Sequence, residues 1–147
     1  MNRPFTRMAR AVDNLAASIQ EEVIVQTGYT DFPYRYAKAF DFCTKEEMAS
    51  YMRTADIVVL QGGWGSIREA MSARKRIVAM PRYNITEHIH DQFQLIRKLD
   101  SLGCVIGVFD DCDLPKAVEK AKTYTFKQLS YGNVEAHIQN KLQEWFP

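Results

Sequence analysis

Cysteine is scarce in this chain, and neither sign of charge dominates. The three cysteines, Cys43, Cys104 and Cys112, are odd in number and widely spaced. Such spacing makes neither a disulfide framework nor a zinc site, and it fits free thiols in the cytoplasm. Nineteen Lys and Arg stand against eighteen Asp and Glu, a net charge of +1, so the chain lacks the field that would recruit nucleic acid. No apolar run approaches the roughly 20 residues that span a bilayer. Met1-Asn2-Arg3-Pro4 leads into an amphipathic pattern, not a secretory leader. There is no internal repeat, low-complexity segment or linker. What remains is one domain over residues 1–147, with 46% hydrophobic and 25% charged residues, an ordinary globular composition at a length that buries a core alone.

Hydrophobic periodicity alternates between helix and strand. Phe5, Met8, Ala9, Val12, Leu15, Ala16 and Ile19 recur at helical spacing. Glu22–Gly28 reads as a strand ending at glycine, and Tyr36–Phe42 as a weaker one. Thr44-Lys45-Glu46-Glu47 is a capping box that opens a helix to Thr54. Ala55–Leu60 is a buried strand, Ile67–Arg74 a helix, and Arg76–Met80 a strand stopped by Pro81. A long helix is expected from Glu87 to Leu102, with Gly103 as its C-terminal cap. Cys104–Val108 is a further strand, Asp113 caps a helix carrying Pro115 in its first turn, and Tyr131–Phe146 closes the chain as a helix. Strands separated by helices pair in parallel through right-handed crossovers. The expected fold is an open, doubly wound α/β sheet, Rossmann-like, which binds ligands beyond the carboxyl ends of its strands.

The stretch Gln61-Gly62-Gly63-Trp64-Gly65-Ser66-Ile67-Arg68-Glu69-Ala70 lies on such a strand-to-helix turn. Glycine lets backbone approach a ligand closely. The first N–H groups of a helix lack internal partners, and the helix dipole favours an anion there, so a phosphate or pyrophosphate is the natural occupant. Glu69 falls one turn into the helix, within reach of a sugar hydroxyl. The competing reading is a tight turn under a closely packed helix, with Glu69 a solvated carboxylate. Thr27-Gly28-Tyr29, Phe42-Cys43 and the residues from Arg82 onward sit at other strand ends. Arg82 reads equally as a phosphate partner or a surface arginine. His88 and His90 read as helix-entry or surface groups, and Trp64 as a stacking or a packing residue.

In order, Ala55–Val59, Gly62-Gly63-x-Gly65-Ser66-Ile67-x-Glu69-Ala70, Arg76–Pro81, Glu87-His88 and Asp91-Gln92 resemble the C-terminal, donor-binding half of a GT-B glycosyltransferase of family 28. Pro4-Phe5-x-Arg7 and Val25-x-Thr27-Gly28-x-Thr30-Asp31 resemble its free-standing donor-half subunits, of the eukaryotic Alg type and the bacterial PssE type. The resemblance implies that Gly62, Gly63, Trp64, Gly65 and Ser66 bind the diphosphate of a UDP-sugar and that Glu69 takes the ribose hydroxyls. It implies that Gln92 and Asp91 contact the transferred sugar, that Phe42 and Cys43 lie near the uracil, and that Thr27 and Gly28 line the cleft. It implies no cofactor and no metal beyond the UDP-sugar itself; no Asp-x-Asp motif is present. No catalytic base is assigned.

Family members open with a strand and a Gly-Thr loop ahead of the Pro-Phe segment. The expectation here is that this first strand is missing, which exposes a sheet edge and invites homodimerisation. A GT-B enzyme works across two domains, so the acceptor half is expected from a membrane-associated partner that recruits this chain to the inner membrane face. The implied pathway is exopolysaccharide or lipid-linked glycan synthesis, with UDP-GlcNAc or a related UDP-hexose as donor. Two other readings stay open. Gly62-Gly63-x-Gly65-Ser66-x-x-Glu69 also looks like the Gly-Gly-x-Gly-Thr-x-x-Glu of nucleotide phosphoribohydrolases, and a non-catalytic scaffold for a transferase is the third.

Overall fold

The computed structural model describes residues 3–82 and 92–129. In chain order the elements are α1 (Thr6–Ser18), β1 (Ile24–Gln26), β2 (Lys38–Phe40), α2 (Lys45–Thr54), β3 (Ile57–Gln61), α3 (Trp64–Ser72), β4 (Arg76–Met80), α4 (Phe93–Ser101), β5 (Ile106–Gly107), a 3-10 turn (Asp111–Asp113) and α5 (Leu114–Thr123). Asp91, His88, His90, the first turns of the helix expected from Glu87, and the helix expected over Tyr131–Phe146 lie outside the described residues.

Every strand pairing among the described residues is parallel, as the helix–strand alternation requires. Ile24 lies opposite Lys38, Ile57 opposite Arg76, and Val78 opposite Ile106. β4 holds the centre and is buried from Ile77 to Met80, the near-continuous apolar run of a strand covered on both faces. Its alternate residues serve two layers. Val78 and Met80 join Val12 and Leu15 of α1 and Leu114, Val118 and Ala121 of α5. Ile77 and Ala79 join Ile67, Ala70 and Met71 of α3 and Ile96 and Leu99 of α4. Helices on both faces make the sheet doubly wound. One departure is that the strands form two sheets, β1-β2 and β3-β4-β5, with no ladder between β1 and β3. No described helix is long and apolar enough to cross a membrane.

Local chemistry sets the helix ends. Thr44 Oγ1 accepts the Glu47 N–H at 3.1 Å, and the Glu47 carboxylate accepts the Thr44 N–H at 2.8 Å, the reciprocal pair expected of the capping box. Gly103, at φ +74°, ends α4 in a Schellman turn: its N–H reaches the Asp100 carbonyl at 2.9 Å, and the Cys104 N–H reaches that of Leu99 at 3.0 Å. Arg74 fills the same place after α3 at φ +54°, a position that normally favours glycine. Two expectations shift. β5 is only two residues long. Asp113 sits at the α5 cap position without a side-chain cap bond. The Asp110 carboxylate instead accepts the Cys112 N–H at 2.9 Å, building the 3-10 turn that delivers the chain to Pro115.

Candidate functional site

Two clusters form at the carboxyl ends of the strands. In the first, only Gly62 and Gly63 separate β3 from α3. The helix begins at Trp64, three residues ahead of the Ile67 start expected from the pattern, so Gly65 and Ser66 belong to its first turn and not to a loop. Gly63 occupies the cap position and has no side chain to bond the helix. The first ladder bond runs from the Ile67 N–H to the Gly63 carbonyl at 3.2 Å. The amides of Gly65 and Ser66 therefore stand ahead of the ladder at the positive end of the helix dipole. A Cβ on Gly65 would meet nothing within 4 Å among the described residues. Ile67, Ala70 and Met71 anchor the buried face of α3, while Ser66 and Glu69 are exposed. Being three residues apart, these two share a face, with Glu69 about 4.5 Å along the axis from Ser66 at the backbone. Trp64 is 38% exposed at the helix entrance.

Gly62 is needed for packing. A Cβ there would lie 2.7 Å from Gln92 Cβ and 3.1 Å from Ile96 Cγ1. The start of α4 thus rests directly on the glycine turn and brings Gln92 to it from 30 positions away in sequence. Gln92 is buried. Its N–H donates to the Arg82 carbonyl at 3.0 Å, and its Oε1 accepts the Arg82 N–H at 3.1 Å. This two-bond clamp ties the entrance of α4 to the exit of β4.

The second cluster continues the β1–β2 ladder. The Thr27 N–H donates to the Phe40 carbonyl at 2.8 Å and the Gly28 N–H to that of Asp41 at 2.9 Å. Thr27 Oγ1 donates to the Asp41 carboxylate at 2.9 Å. Gly28 turns the chain at φ +56°. The Tyr29 and Phe42 rings meet edge to face at 5.1 Å and are both largely exposed. Half-buried Cys43 follows Phe42 and precedes the α2 cap. Thr27, Gly28, Tyr34, Ala39 and Asp41 help line a cleft of 340 Å³. A larger hollow of 570 Å³ lies at the far ends of α1 and α5, but Lys122, the one cation among the described residues that line it, is held by Glu21 at 2.9 Å and Glu119 at 3.0 Å. The cluster at the strand ends offers the better ligand chemistry.

Two supports hold these clusters, and the first was not singled out from sequence. Asp13, buried in α1, accepts N–H bonds from Arg35, Tyr36 and Ala37 at 3.0–3.2 Å, fixing the loop that walls the cleft. Burial pushes its carboxyl up, but those three donors and the charge of Arg35 outweigh it and hold Asp13 below the ordinary carboxylate range. A lone aspartate at helical spacing on the apolar side of α1 was the available signal. The other support joins Arg7 and Arg82 around Phe5. Their guanidinium carbons stand 5.1 and 4.6 Å from the ring centroid. Arg7 bonds the Pro81 carbonyl at 2.8 Å and the Asp111 carboxylate at 2.6 Å, and Arg82 bonds the Arg3 carbonyl at 2.8 Å. Half-buried Arg82 is therefore part of the packing around Phe5.

Residues 3–143 match the glycosyltransferase family 28 C-terminal domain. No curated protein matches the chain. With a doubly wound parallel fold, a glycine turn at the exit of β3 and a family match over nearly all its length, the chain belongs to glycosyltransferase family 28 through its C-terminal domain.

Proposed function

We propose that this domain is the donor-binding subunit of a two-component glycosyltransferase, with a UDP-sugar as donor. The observation that carries the reading is the entrance of α3. A helix with no side-chain cap opens at the carboxyl end of a parallel strand, with no described atom crowding Gly65 and exposed Glu69 one turn further along. The diphosphate takes the amides of Gly65 and Ser66. The ribose hydroxyls donate to Glu69. The uracil rests against Phe42 and the backbone near Cys43, and the sugar lies towards the start of α4 at Gln92.

In the transfer, the sugar carbon bonds to the acceptor hydroxyl oxygen as its bond to the diphosphate oxygen breaks. That oxygen leaves with the electron pair, and the helix N-terminus stabilises the charge that develops on it. The acceptor hydroxyl proton goes to a base of the acceptor-binding partner. The same partner supplies the second wall of the cleft and the membrane contact, for synthesis of an exopolysaccharide or a lipid-linked glycan.

Calorimetric titration tests the reading. UDP binds in preference to AMP, and Glu69→Ala weakens UDP by about 1–3 kcal/mol, the loss of a charge-assisted hydrogen bond, without altering the unfolding midpoint. A preference for AMP would overturn the assignment in favour of nucleotide phosphoribohydrolase chemistry. Unchanged UDP affinity in folded Glu69→Ala would remove Glu69 from the site.

A further inference from the structure

We propose that the cleft between Thr27 and Asp41 is a carbohydrate subsite, which holds a neutral sugar unit of the acceptor glycan while the donor occupies the entrance of α3. The acceptor role rests on the sugar-nucleotide reading above; the site itself does not. It lies on the other face of the sheet. Val25 is opposite Ala39 in the β1–β2 ladder, and Val25 packs into the core beneath α1 and α5. Thr27 and Asp41 are the next pair of the same parity, so their side chains share that face. Phe40 has the opposite parity and stacks on Tyr51 of α2 at 5.3 Å, and Phe42 follows it at the next alternate position. Met52 of α2 packs with α3 and α4. The groups given to the nucleotide, at Phe42, on α3 and at the start of α4, therefore belong to the α2–α3–α4 layer. The cleft opens on the α1 side of the same carboxyl edge.

The cleft is held in shape before any ligand arrives. Its described walls come from one continuous segment, residues 27–41, and enclose 340 Å³. Three ties fix that segment. The Thr30 N–H donates to the Thr27 carbonyl at 3.0 Å around Gly28. Thr30 Oγ1 accepts the Phe5 N–H at 3.0 Å. Buried Asp13 accepts the N–H groups of Arg35, Tyr36 and Ala37. A loop fixed in advance loses less entropy on binding.

The lining selects a sugar. It offers two carboxylates, Asp31 and Asp41, and three aromatic rings, Tyr29, Phe32 and Tyr34, and no cation among the described residues. Such a cleft repels phosphate and is not a second anion site. Sugar hydroxyls donate to carboxylates in charge-assisted bonds. Asp41 accepts the Thr27 hydroxyl at 2.9 Å, which uses one of a carboxylate's roughly four acceptor positions. The C–H faces of a pyranose lie against the electron-rich faces of aromatic rings. The ring planes are already set, Phe32 against Tyr34 at 4.9 Å and Tyr29 against Phe42 at 5.1 Å, both edge to face. The volume falls at the small end of ligand sites, about 300–1,000 Å³, which suits a terminal sugar unit. Of the ligands such a lining accepts, a sugar is the one that a glycosyltransferase handles.

The test records nitrogen–proton correlation spectra of the whole chain with the methyl glycosides of glucose, galactose and N-acetylglucosamine, alone and with saturating UDP. The proposal expects one of these glycosides to move the amides of Asp31, Phe32 and Tyr34, to leave those of Gly65 and Ser66 in place, and to bind equally well when UDP is present. Asp31→Asn weakens that glycoside about tenfold or more and leaves UDP affinity unchanged; Asp31 is exposed, so the variant folds. If no glycoside moves the cleft while UDP moves the α3 entrance, the carbohydrate subsite falls and the donor reading stands. If a glycoside moves the cleft while UDP moves nothing, the donor reading falls and the subsite stands. Displacement of the glycoside by UDP, equal binding by Asp31→Asn, or tighter binding of tetramethylammonium at the same amides would each overturn the proposal.

Discussion

Replacing Gly62 by alanine probes the contact on which the candidate site is built. The new Cβ would lie 2.7 Å from Gln92 Cβ, 2.8 Å from Gln92 Oε1 and 3.1 Å from Ile96 Cγ1. The nearest of these atoms is fixed to the backbone, so no rotamer of Gln92 relieves it, and the start of α4 must move. Overpacking a tight site costs about 1–3 kcal/mol. Displacing Gln92 also breaks its bond to the Arg82 N–H, at about 1 kcal/mol. For a chain of 147 residues, the combined loss of about 2–4 kcal/mol lowers the melting temperature by about 5–12 °C. Gly65→Ala is the matched control, since its Cβ meets nothing within 4 Å among the described residues. In the first turn of α3 it leaves stability unchanged or raises it by up to about 1 kcal/mol, while its methyl group obstructs the diphosphate. Thermal unfolding by circular dichroism separates the two variants. A Gly62→Ala protein as stable as the parent would refute the packing argument.

Three further outcomes follow from the same geometry. Asp13→Ala strips the loop donors of Arg35, Tyr36 and Ala37 of their acceptor and costs about 2–4 kcal/mol in urea unfolding. Because the folded carboxyl titrates below its ordinary value of 3.8, the stability it adds is complete above that pH and is lost as pH falls through the folded value; the gap between Asp13→Asn and the parent should therefore shrink on acidification below about pH 4, and a gap constant down to pH 2 would contradict this. Arg74→Gly relieves a left-handed residue at φ +54° and raises stability by several tenths to about 1 kcal/mol, glycine's own unfolded-state entropy offsetting part of the gain. The isolated chain transfers no sugar at saturating donor, because orienting two substrates supplies up to about 7–11 kcal/mol of barrier reduction; transfer to a lipid-linked acceptor by the purified chain would contradict the two-component reading.

Features written in local sequence were legible. The periodicity of Val12 and Leu15 located α1, Pro81 marked the stop of β4, and the Thr44–Glu47 box and Gly103 fixed helix ends. The glycine turn stood out because strand, glycines and helix follow one another directly. The early start of α3 was hidden because Trp64 and Gly65 are weak helix formers, drawn into the helix by the packing of Ile67 and Ala70. Gln92 against Gly62 and Asp13 beneath the loop at Arg35–Ala37 join residues 22 or more positions apart. Such contacts leave no local periodic signal. The split of the sheet was expected only as an exposed edge; its position between β1 and β3 depends on how the strands are ordered in space.

The central claim is that a nucleoside diphosphate sits at the entrance of α3. Nitrogen–proton correlation spectra recorded while UDP is titrated into the chain test it most directly. The account predicts that the amides of Gly65 and Ser66 move furthest, as donors to phosphate, together with those from Thr27 to Tyr29 and from Asp41 to Cys43, and that Gly65→Ala abolishes these shifts. Shifts confined to the hollow around Ser18–Glu21 and Lys122, or an α3 entrance unmoved at saturating UDP, would contradict it.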